Sequence, residues 1–219
     1  MSSDRLPSLG ALFVVSAPSG GGKTSLSRAA VKRLATLDVR AEISVSYTTR
    51  TRRPGEEHGR HYHFVDDAEF LRMVADGEFL EHAEVFGRRY GTGRAQTAAL
   101  LDEDCDVVLD IDWQGAAQVR AAADAAGGPE VVSVFILPPS LKTLEMRLHA
   151  RAQDEVDTVR KRMAAARAEM AHFSDYDHLI INDDFDRALN ELVSLFVARR
   201  LKRPLQQRRY RGLIDGLLG

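Results

Sequence analysis

The sequence predicts an α/β fold in which a parallel sheet is flanked by helices on both faces. Three observations support this class. Short, continuously apolar runs, typical of buried parallel strands, recur along the chain. Stretches with helical character separate them, as the crossovers between parallel strands require. The first apolar run leads directly into a glycine-rich bend and a helix-forming stretch.

Composition limits the classes of protein that the chain can represent. It has 219 residues, of which 44% are hydrophobic and 28% charged, with a net charge of −2. This length suits one large or two small domains, and the charge gives no general electrostatic case for nucleic acid. No apolar run approaches the ~18 residues of a membrane span, and residues 1–9 lack the pattern of a signal peptide. We therefore expect a cytoplasmic protein that binds neither nucleic acid nor membrane.

The single cysteine agrees with a reducing compartment. Cys105 excludes an internal disulfide. Acidic residues bracket it in the sequence, and their charge would raise the pKa of its thiol. We predict a structural or incidental role for this residue.

The elements follow in order along the chain. The apolar runs predict strands over Ala11–Ser16, Cys105–Asp110, Val131–Leu137 and Leu179–Ile181. Helices are predicted over residues 24–37, over 140–150 with Ser140 as its cap, and over 186–203, where Pro204 ends the last one.

Two stretches break this alternation. Residues 44–95 are rich in Arg, Gly, Tyr and His and carry only short strand signals, which indicates an inserted lobe with a binding face. Residues 150–160 are polar and lie between two helices, so they form either a mobile lid or an exposed loop. We expect a single domain whose core covers about 9–43, 96–149 and 174–205, with a binding lobe at 44–95 and a lid at 150–173.

The bend after the first strand has the composition of a phosphate-binding loop. Glycines allow successive backbone N–H groups to converge on an anion, and the following helix adds its positive N-terminus. The predicted phosphate contacts are Ala17, Pro18, Ser19, Gly20, Gly21, Gly22, Lys23, Thr24 and Ser25. Ala17 stands where the pattern has its first glycine, and a negative φ would accommodate it. The alternative is a glycine-rich turn with a solvated lysine.

Two aspartates follow the second apolar strand. Asp110 ends the run Val107-Val108-Leu109, and a carboxylate at that end of a buried parallel strand points into the ligand crevice. Beside a phosphate loop it would hold Mg²⁺ through water, although a helix-capping role is the alternative. Asp112 would face the same side if the chain stays extended.

The lobe begins with hydroxyl-bearing residues followed by a basic cluster. Arg50, Arg52 and Arg53 fall within four positions of a turn-prone segment, which suits bidentate capture of a phosphate. A solvated basic loop is the alternative. Tyr62 and Tyr90 lie in the same lobe, either as hydroxyl donors to phosphate or as half-buried aromatic side chains.

Glu81 lies inside an apolar stretch, where a carboxylate needs hydrogen-bond donors. Guanine offers two donors on one edge, N1–H and N2–H₂, and adenine offers neither there. A carboxylate reader therefore selects guanine. The alternative is a surface glutamate on an amphipathic helix.

The sequence also contains enough cationic side chains to neutralise the substrates of a kinase. ATP carries about −4, its Mg²⁺ returns +2 and a nucleoside monophosphate adds about −2, so roughly four charges need cations. The candidates are Lys23, Arg50, Arg53, Arg147, Arg151 and Arg162. Several of them could equally be exposed surface charges.

Taken together, these segments resemble the guanylate kinase family of P-loop nucleoside monophosphate kinases, and its bacterial members closely. The resemblance extends from Leu12 to the C-terminal helix. The matching segments are Ser16–Ser25, Ser44–Gly55, His58–Val65, Phe79–Gly87, Tyr90–Thr92, Leu109–Gly115, Phe135–Pro139 and Ile181–Asp186.

The resemblance implies roles for individual residues. It places Lys23 on the ATP phosphates, Asn182 near adenine, and Thr24 with Asp110 on Mg²⁺, the latter through water. The residues that it assigns to the GMP phosphate are Arg50, Arg53, Tyr62 and Tyr90. Those that it assigns to guanine are Ser46, Glu81, Thr92 and Asp112. The lid arginines are Arg151 and Arg162, with Arg147 as a third.

Some positions depart from the family pattern. Ala17 replaces a glycine, Thr92 stands where some relatives have Ser, and Gly93 stands where bacterial members often have Ser. Ala150 and Ala152 flank Arg151 where Gly is common, which bears on the kinetics of the lid and not on the chemistry.

The implied activity is ATP-dependent, Mg²⁺-assisted phosphorylation of GMP, and of dGMP, to GDP or dGDP, without a covalent intermediate. ATP and GMP are the expected partners, and a homo-oligomer is compatible with the sequence. Two other functions compete. Guanylate-kinase-like scaffold modules bind phosphopeptides but lack the intact loop chemistry of Lys23, Thr24 and Asp110. The related ribose-bisphosphate phosphokinases have no use for a guanine reader such as Glu81.

Overall fold

A computed structural model of the chain describes residues 9–124, 128–151 and 156–219, without the side chains of 150, 151 and 156–161. Its strands, in chain order, are β1 (Leu12–Ser16), β2 (Ala41–Ile43), β3 (Tyr47–Thr48), β4 (His63–Phe64), β5 (Phe79–Val85), β6 (Arg88–Gly93), β7 (Asp106–Asp110), β8 (Val131–Leu137) and β9 (His178–Ile181).

Helices connect most of these strands. They are α1 (Lys23–Ala35), α2 (Asp67–Ala75), α3 (Arg94–Asp102), α4 (Trp113–Asp124), α5 (Leu141–Arg151), α6 (Val156–Met170), α7 (Phe185–Arg200), α8 (Arg203–Arg209) and α9 (Arg211–Leu218). A short 3-10 helix, Ala171–Asp175, links α6 to β9.

The main sheet confirms the predicted fold class. Its five strands lie in the order β2-β7-β1-β8-β9, and all are parallel. The strand that precedes the glycine-rich bend, β1, is therefore central, between β7 and β8. Because the carboxyl ends of parallel strands share one edge, the bend and the end of β7 meet there.

A second, four-stranded sheet is built from residues 47–93 in the order β4-β3-β6-β5. The hairpin of β5 and β6 is longer than the sequence signals indicated, with seven and six residues. Its two-residue turn, Phe86-Gly87, has positive φ at both positions, 50° and 67°. That conformation matches the twist of the flanking strands.

Apolar side chains fill both sides of the main sheet. Phe13 of β1 is fully buried and stacks on Phe196 of α7 with ring centroids 3.5 Å apart. On the other face Leu12, Val14 and Leu109 pack against Val119 of α4. These two layers bury both faces of β1 and β7. The candidate functional site lies at the ends of these strands.

The predicted helix limits are confirmed in one place and wrong in another. The Ser140 hydroxyl accepts a hydrogen bond from the Thr143 N–H at 3.1 Å and so caps α5 as predicted. The last long helix, however, ends at Arg200, before Pro204. Pro204 lies in the first turn of α8 instead, where its missing N–H costs no hydrogen bond.

Cys105 is buried, and burial raises the pKa of its thiol to about 11. This agrees with the structural role predicted for it.

Within the described ranges, no helix combines the length and apolar character needed to cross a bilayer.

Candidate functional site

The glycine-rich bend forms a compact loop between β1 and α1. Gly20 and Gly22 have φ values of 86° and 94°, a left-handed conformation that side chains rarely adopt. The Gly21 N–H donates to Pro18 O at 2.8 Å and closes a tight turn. Ala17 is not among the described residues with positive φ, so alanine fits the place of the first glycine. The loop therefore has the backbone of an anion-binding nest.

Lys23 opens α1 and lies at the edge where the parallel strands end. Its ammonium Nζ is 2.8 Å from Asp110 Oδ1 at the end of β7 and donates to Ile111 O at 2.6 Å. Both side chains of the ion pair are about one-fifth exposed, at 19% and 18%. The cation thus stays near the mouth of the loop, paired with the carboxylate predicted to face Mg²⁺.

Asn182, which follows β9, packs directly on the phosphate loop. Its buried side-chain amide donates to Gly21 O at 2.9 Å. A Cβ at Gly22 would lie 2.4 Å from Asn182 Nδ2, so this approach requires glycine. The backbone carbonyl of Asn182 accepts a hydrogen bond from Arg147 Nη2 at 3.0 Å. The buried Arg147 Nη1 has no hydrogen-bond partner among the described residues, which leaves a donor for a ligand.

Glu81 and Thr92 form a buried polar pair inside the β5–β6 hairpin. They are opposite each other in the register, and the Thr92 hydroxyl donates to Glu81 Oε1 at 2.6 Å. Glu81 is only 4% exposed. Burial raises the pKa of its carboxyl to about 7, although the Thr92 hydrogen bond and the Lys23 charge oppose the shift. A buried carboxylate of this kind requires donors, which a ligand can supply.

Gly115 on α4 closes the space around Glu81, and the sequence analysis did not single it out. A Cβ there would lie 2.3 Å from Glu81 Oε2 and 3.0 Å from its Cδ. The signal that could have identified it is a glycine inside a helical stretch. Glycine lowers helix stability, so its presence there indicates a packing or functional reason.

We expect Gly115→Ala to displace the Glu81 carboxylate and to raise the KM for the ligand that Glu81 binds. A displaced hydrogen bond to a charged group corresponds to about 1.5–3 kcal/mol, or roughly 10–100-fold. Steady-state kinetics of the variant measure this effect. Ala117→Gly, at an exposed position of α4, tests whether a changed helix propensity alone affects the KM. An unchanged KM in Gly115→Ala would show that the side chain relaxes without cost.

Asp110, the last residue of β7, and Asp112, two residues later, have different partners. Asp110 pairs with Lys23 as described, whereas Asp112 Oδ1 accepts from the Gly115 N–H at 2.9 Å and caps α4. β7 therefore ends at Asp110, and α4 begins at Trp113, directly after Asp112. Asp112 still adds negative charge near Glu81, where it acts to raise that pKa.

The basic cluster of the lobe brings three predicted phosphate contacts together. The Arg50 guanidinium lies 5.3 Å from the centre of the Tyr62 ring, and the rings of Tyr62 and Tyr90 are 6.1 Å apart. Burial raises the pKa of the Tyr62 hydroxyl. Arg53 belongs to the same loop with an exposed side chain, and Ser46 lies half-buried before β3.

Glu56 holds this cluster, and the sequence analysis did not name it. Its Oε1 is 2.7 Å from Arg50 Nη2, and its Oε2 accepts from the Arg53 N–H at 2.8 Å. The Arg50 guanidinium holds the pKa of Glu56 below its usual range. The two adjacent acidic residues shortly after three arginines, Glu56 and Glu57, were the signal that could have identified it. The carboxylate lies where an anionic ligand would reach the same donors.

The phosphate loop and the lobe lie within electrostatic range of each other. The Lys23 ammonium acts on Glu81, and the Asp110 carboxylate acts to raise the pKa of Tyr62. An arrangement with these groups on opposite sides of the molecule is therefore excluded. Of the predicted lid cations, Arg147 is on α5 and Arg162 on α6, whereas the side chain of Arg151 lies outside the described set.

Comparison with known proteins assigns this architecture to a family. The family model described as guanylate kinase matches residues 10–199. A guanylate kinase of Chromohalobacter salexigens is 51% identical, over 97% of this chain and 94% of its own length. One from Vibrio parahaemolyticus is 50% identical, over 95% and 98% respectively. The crystal structure of guanylate kinase from Anaplasma phagocytophilum superposes with a TM-score of 0.70 at 34% identity, covering 91% of this chain and 90% of that one.

Proposed function

The chain belongs to the guanylate kinase family and phosphorylates GMP to GDP at the expense of ATP, and we propose that it does so between the phosphate loop and the β5–β6 hairpin. The observation that carries this assignment of the site is the buried Glu81–Thr92 pair within the electrostatic range of Lys23. A guanine reader and a phosphate loop then face one crevice.

ATP occupies the loop side of the crevice in this proposal. The N-terminus of α1 and the N–H groups of the loop supply donors to the phosphates, apart from Pro18, which has no N–H, and Ser19 and Gly21, whose N–H groups donate to Glu169 and Pro18. The Lys23 ammonium exchanges its Asp110 partner for the β- and γ-phosphates. Asn182 holds the loop through Gly21 O and lies on the side assigned to adenine, with the unpaired Nη1 of Arg147 beside it.

Oxygen ligands of the protein would hold the Mg²⁺ that accompanies ATP. The Thr24 hydroxyl on the first turn of α1 and the Asp110 carboxylate at the end of β7 are the candidates, the latter through water. This all-oxygen set fits the hard cation. No group of three or more His, Cys, Asp or Glu side chains suited to a metal occurs in the described parts of the chain, and few protein ligands suffice when phosphates supply the rest. The cation neutralises charge on the transferred phosphoryl group.

GMP occupies the lobe side. Its phosphate replaces the Glu56 carboxylate on Arg50 and also contacts Arg53, Tyr62 and Tyr90. Its guanine edge donates N1–H and N2–H₂ to carboxylate oxygens, of which Glu81 is the buried one. Ser46, Thr92 and Asp112 complete the guanine contacts.

The chemical step needs no general base. An oxygen of the GMP phosphate, largely anionic at pH 7 because its second pKa is ~6, attacks the γ-phosphorus of ATP. The bond from that phosphorus to the bridging oxygen of ADP breaks, and both electrons leave with ADP. No covalent enzyme intermediate forms. The protein contributes positioning and cations, principally Lys23, Arg50 and the lid arginines Arg147, Arg151 and Arg162.

We expect Arg151→Ala to lower kcat more than it raises the KM for GMP. The reason is that a lid arginine meets the charge that develops between the two phosphates, an interaction made mainly in the transition state. Steady-state kinetics with GMP varied at saturating ATP give both constants. An unchanged kcat would remove Arg151 from the lid.

A coupled assay of ADP release tests the proposed substrate. The acceptors are GMP, dGMP, AMP, UMP and a ribose bisphosphate, each with saturating MgATP. We expect turnover with GMP and dGMP and at least about 10³-fold lower kcat/KM with AMP, because the Glu81 carboxylate finds no donor on the adenine edge. Equal turnover of ribose bisphosphate would contradict the guanine site, and no turnover of GMP would contradict the activity.

A further inference from the structure

One carboxylate outside the proposed substrate contacts touches the phosphate loop directly. Glu169 lies in the last turn of α6, and its Oε2 accepts a hydrogen bond from the Ser19 backbone N–H at 2.9 Å. The two residues are 150 positions apart in the chain.

The neighbouring loop residue, Gly20, packs against α5. A Cβ at Gly20 would lie 3.1 Å from Leu144 Cδ1 and 3.1 Å from Leu148 Cδ2, both on α5. These leucines are fully buried against Ala166 of α6. The helices α5 and α6 therefore contact the phosphate loop at two consecutive residues, by packing at Gly20 and by a hydrogen bond at Ser19.

The end of α6 that carries Glu169 is attached to the body of the protein. Met170 packs into the cluster of Leu144 and Leu148. Two residues further on, the His172 ring stacks on Trp113 with centroids 3.8 Å apart and planes 7° from parallel. Trp113 begins α4 and directly follows Asp112. Glu169 thus lies at the attached end of α6, so its bond to Ser19 does not depend on the position of the other end.

Arg162 lies on the same face of α6 as Glu169. Seven residues separate them, which is two turns at 3.6 residues per turn and a rise of about 10 Å. The contact of Glu169 with Ser19 therefore fixes where the turn of α6 that carries Arg162 lies relative to the loop.

We propose that Glu169 is a positioning residue: its carboxylate fixes α6 on the phosphate loop at Ser19 and so places Arg162 against the phosphates of bound ATP. The inference rests on the proposed function for the roles of the loop and of Arg162. Glu169 touches no reacting atom and acts through the Ser19 N–H. What matters at position 169 is then a hydrogen-bond acceptor of the right length, not a negative charge.

Two substitutions of matched length separate these properties. Glu169→Gln keeps an acceptor oxygen and removes the charge, whereas Glu169→Met keeps the size and apolar stem but has no oxygen acceptor. Glu145→Gln provides the control, because Glu145 is an exposed carboxylate on α5. The measurements are kcat and both KM values with GMP and MgATP, together with thermal unfolding of each protein.

We expect Glu169→Met to lower kcat about 10–100-fold, since a misplacement of about 1 Å can cost 10²-fold. The KM for GMP should stay within about threefold, because the guanine pocket is untouched. Glu169→Gln should restore kcat to within about threefold of the wild type. Glu145→Gln should match the wild type throughout.

Either of two results would overturn the inference. The first is a Glu169→Met enzyme with kcat within about twofold of the wild type, which would show that the bond positions nothing. The second is a Glu169→Gln enzyme as impaired as Glu169→Met, which would show that the acceptor is not the operative feature. If Glu169→Met does not fold, Glu169→Ala, which also lacks the acceptor, takes its place in both comparisons. The proposed function is tested separately, by the turnover of GMP by the wild-type enzyme.

Discussion

Lys23→Ala is expected to lower kcat by about 10²–10³-fold, the range found when a preorganised donor is removed from a developing negative charge. Lys23 is the cation at the mouth of the phosphate loop, and its position at the start of α1 gives it reach to both the loop and Asp110. Its removal leaves the β- and γ-phosphates without this charge and leaves Asp110 unpaired. Turnover with saturating GMP and MgATP is the measurement.

Lys32→Ala is the matched control for this experiment. Lys32 is an exposed lysine on the same helix, so its loss removes one positive charge and has little effect on packing. The fold of both variants is checked by thermal unfolding. Near-normal kcat in a folded Lys23→Ala protein would remove Lys23 from the catalytic machinery.

Glu81→Ala is expected to reduce kcat/KM for GMP by about 10²–10⁴-fold, because two hydrogen bonds to a charged acceptor are lost at about 1.5–3 kcal/mol each. The KM for ATP should change far less, since the phosphate loop is untouched. Preference for GMP over AMP should fall accordingly. Glu84→Ala is the control, because Glu84 is an exposed carboxylate on the same strand. A Glu81→Ala enzyme that kept its full preference for GMP would refute the guanine-reader role.

The dependence of GMP binding on pH gives a second measure of Glu81. Burial raises the pKa of its carboxyl to about 7 in the free protein. The guanine donors require the ionised form, so binding must expel a proton where Glu81 is protonated. We therefore expect the Kd for GMP to rise as pH falls from 8 to 6. The GMP phosphate also titrates near pH ~6, and Glu81→Gln isolates that contribution because it lacks the carboxyl.

The same raised pKa determines the sign of the contribution of Glu81 to stability. Folding favours the protonated carboxyl, so this contribution is complete below the ordinary pKa of 4.5 and is lost as pH rises through about 7. In Glu81→Gln, which has no carboxyl to ionise, this loss of stability with rising pH should be absent. A carboxylate held at such a position despite the cost is typical of a binding site and not of a core.

The phosphate loop could be predicted from sequence because its determinants are local. An apolar strand, glycines at the positions with positive φ, and a helix that starts at Lys23 are all contained within residues 12–35. The same holds for the parallel sheet, whose continuously apolar strands can only be buried on both faces. The Ser140 cap depends on a hydroxyl three residues from its N–H partner and was equally accessible.

Glu81 shows where local information ends. Sequence reasoning kept two roles for it, a carboxylate that binds guanine and a surface glutamate on an amphipathic helix. The structure places it on β5, opposite Thr92 and against Gly115 of α4, so that its carboxylate is enclosed. Only the pairing of β5 with β6 and the approach of α4 distinguish a buried carboxylate from a surface glutamate.

By itself, the sequence determined the α/β class, the glycine-rich loop between β1 and α1, and the types of side chain that we propose bind two phosphates and a purine. The tertiary structure alone decided which of these groups meet: Lys23 with Asp110, Arg50 with Glu56, and Glu169 with Ser19. The physical reason is that backbone conformation follows from residues a few positions apart, whereas an ion pair or a buried hydrogen bond joins groups brought together only when separate elements pack.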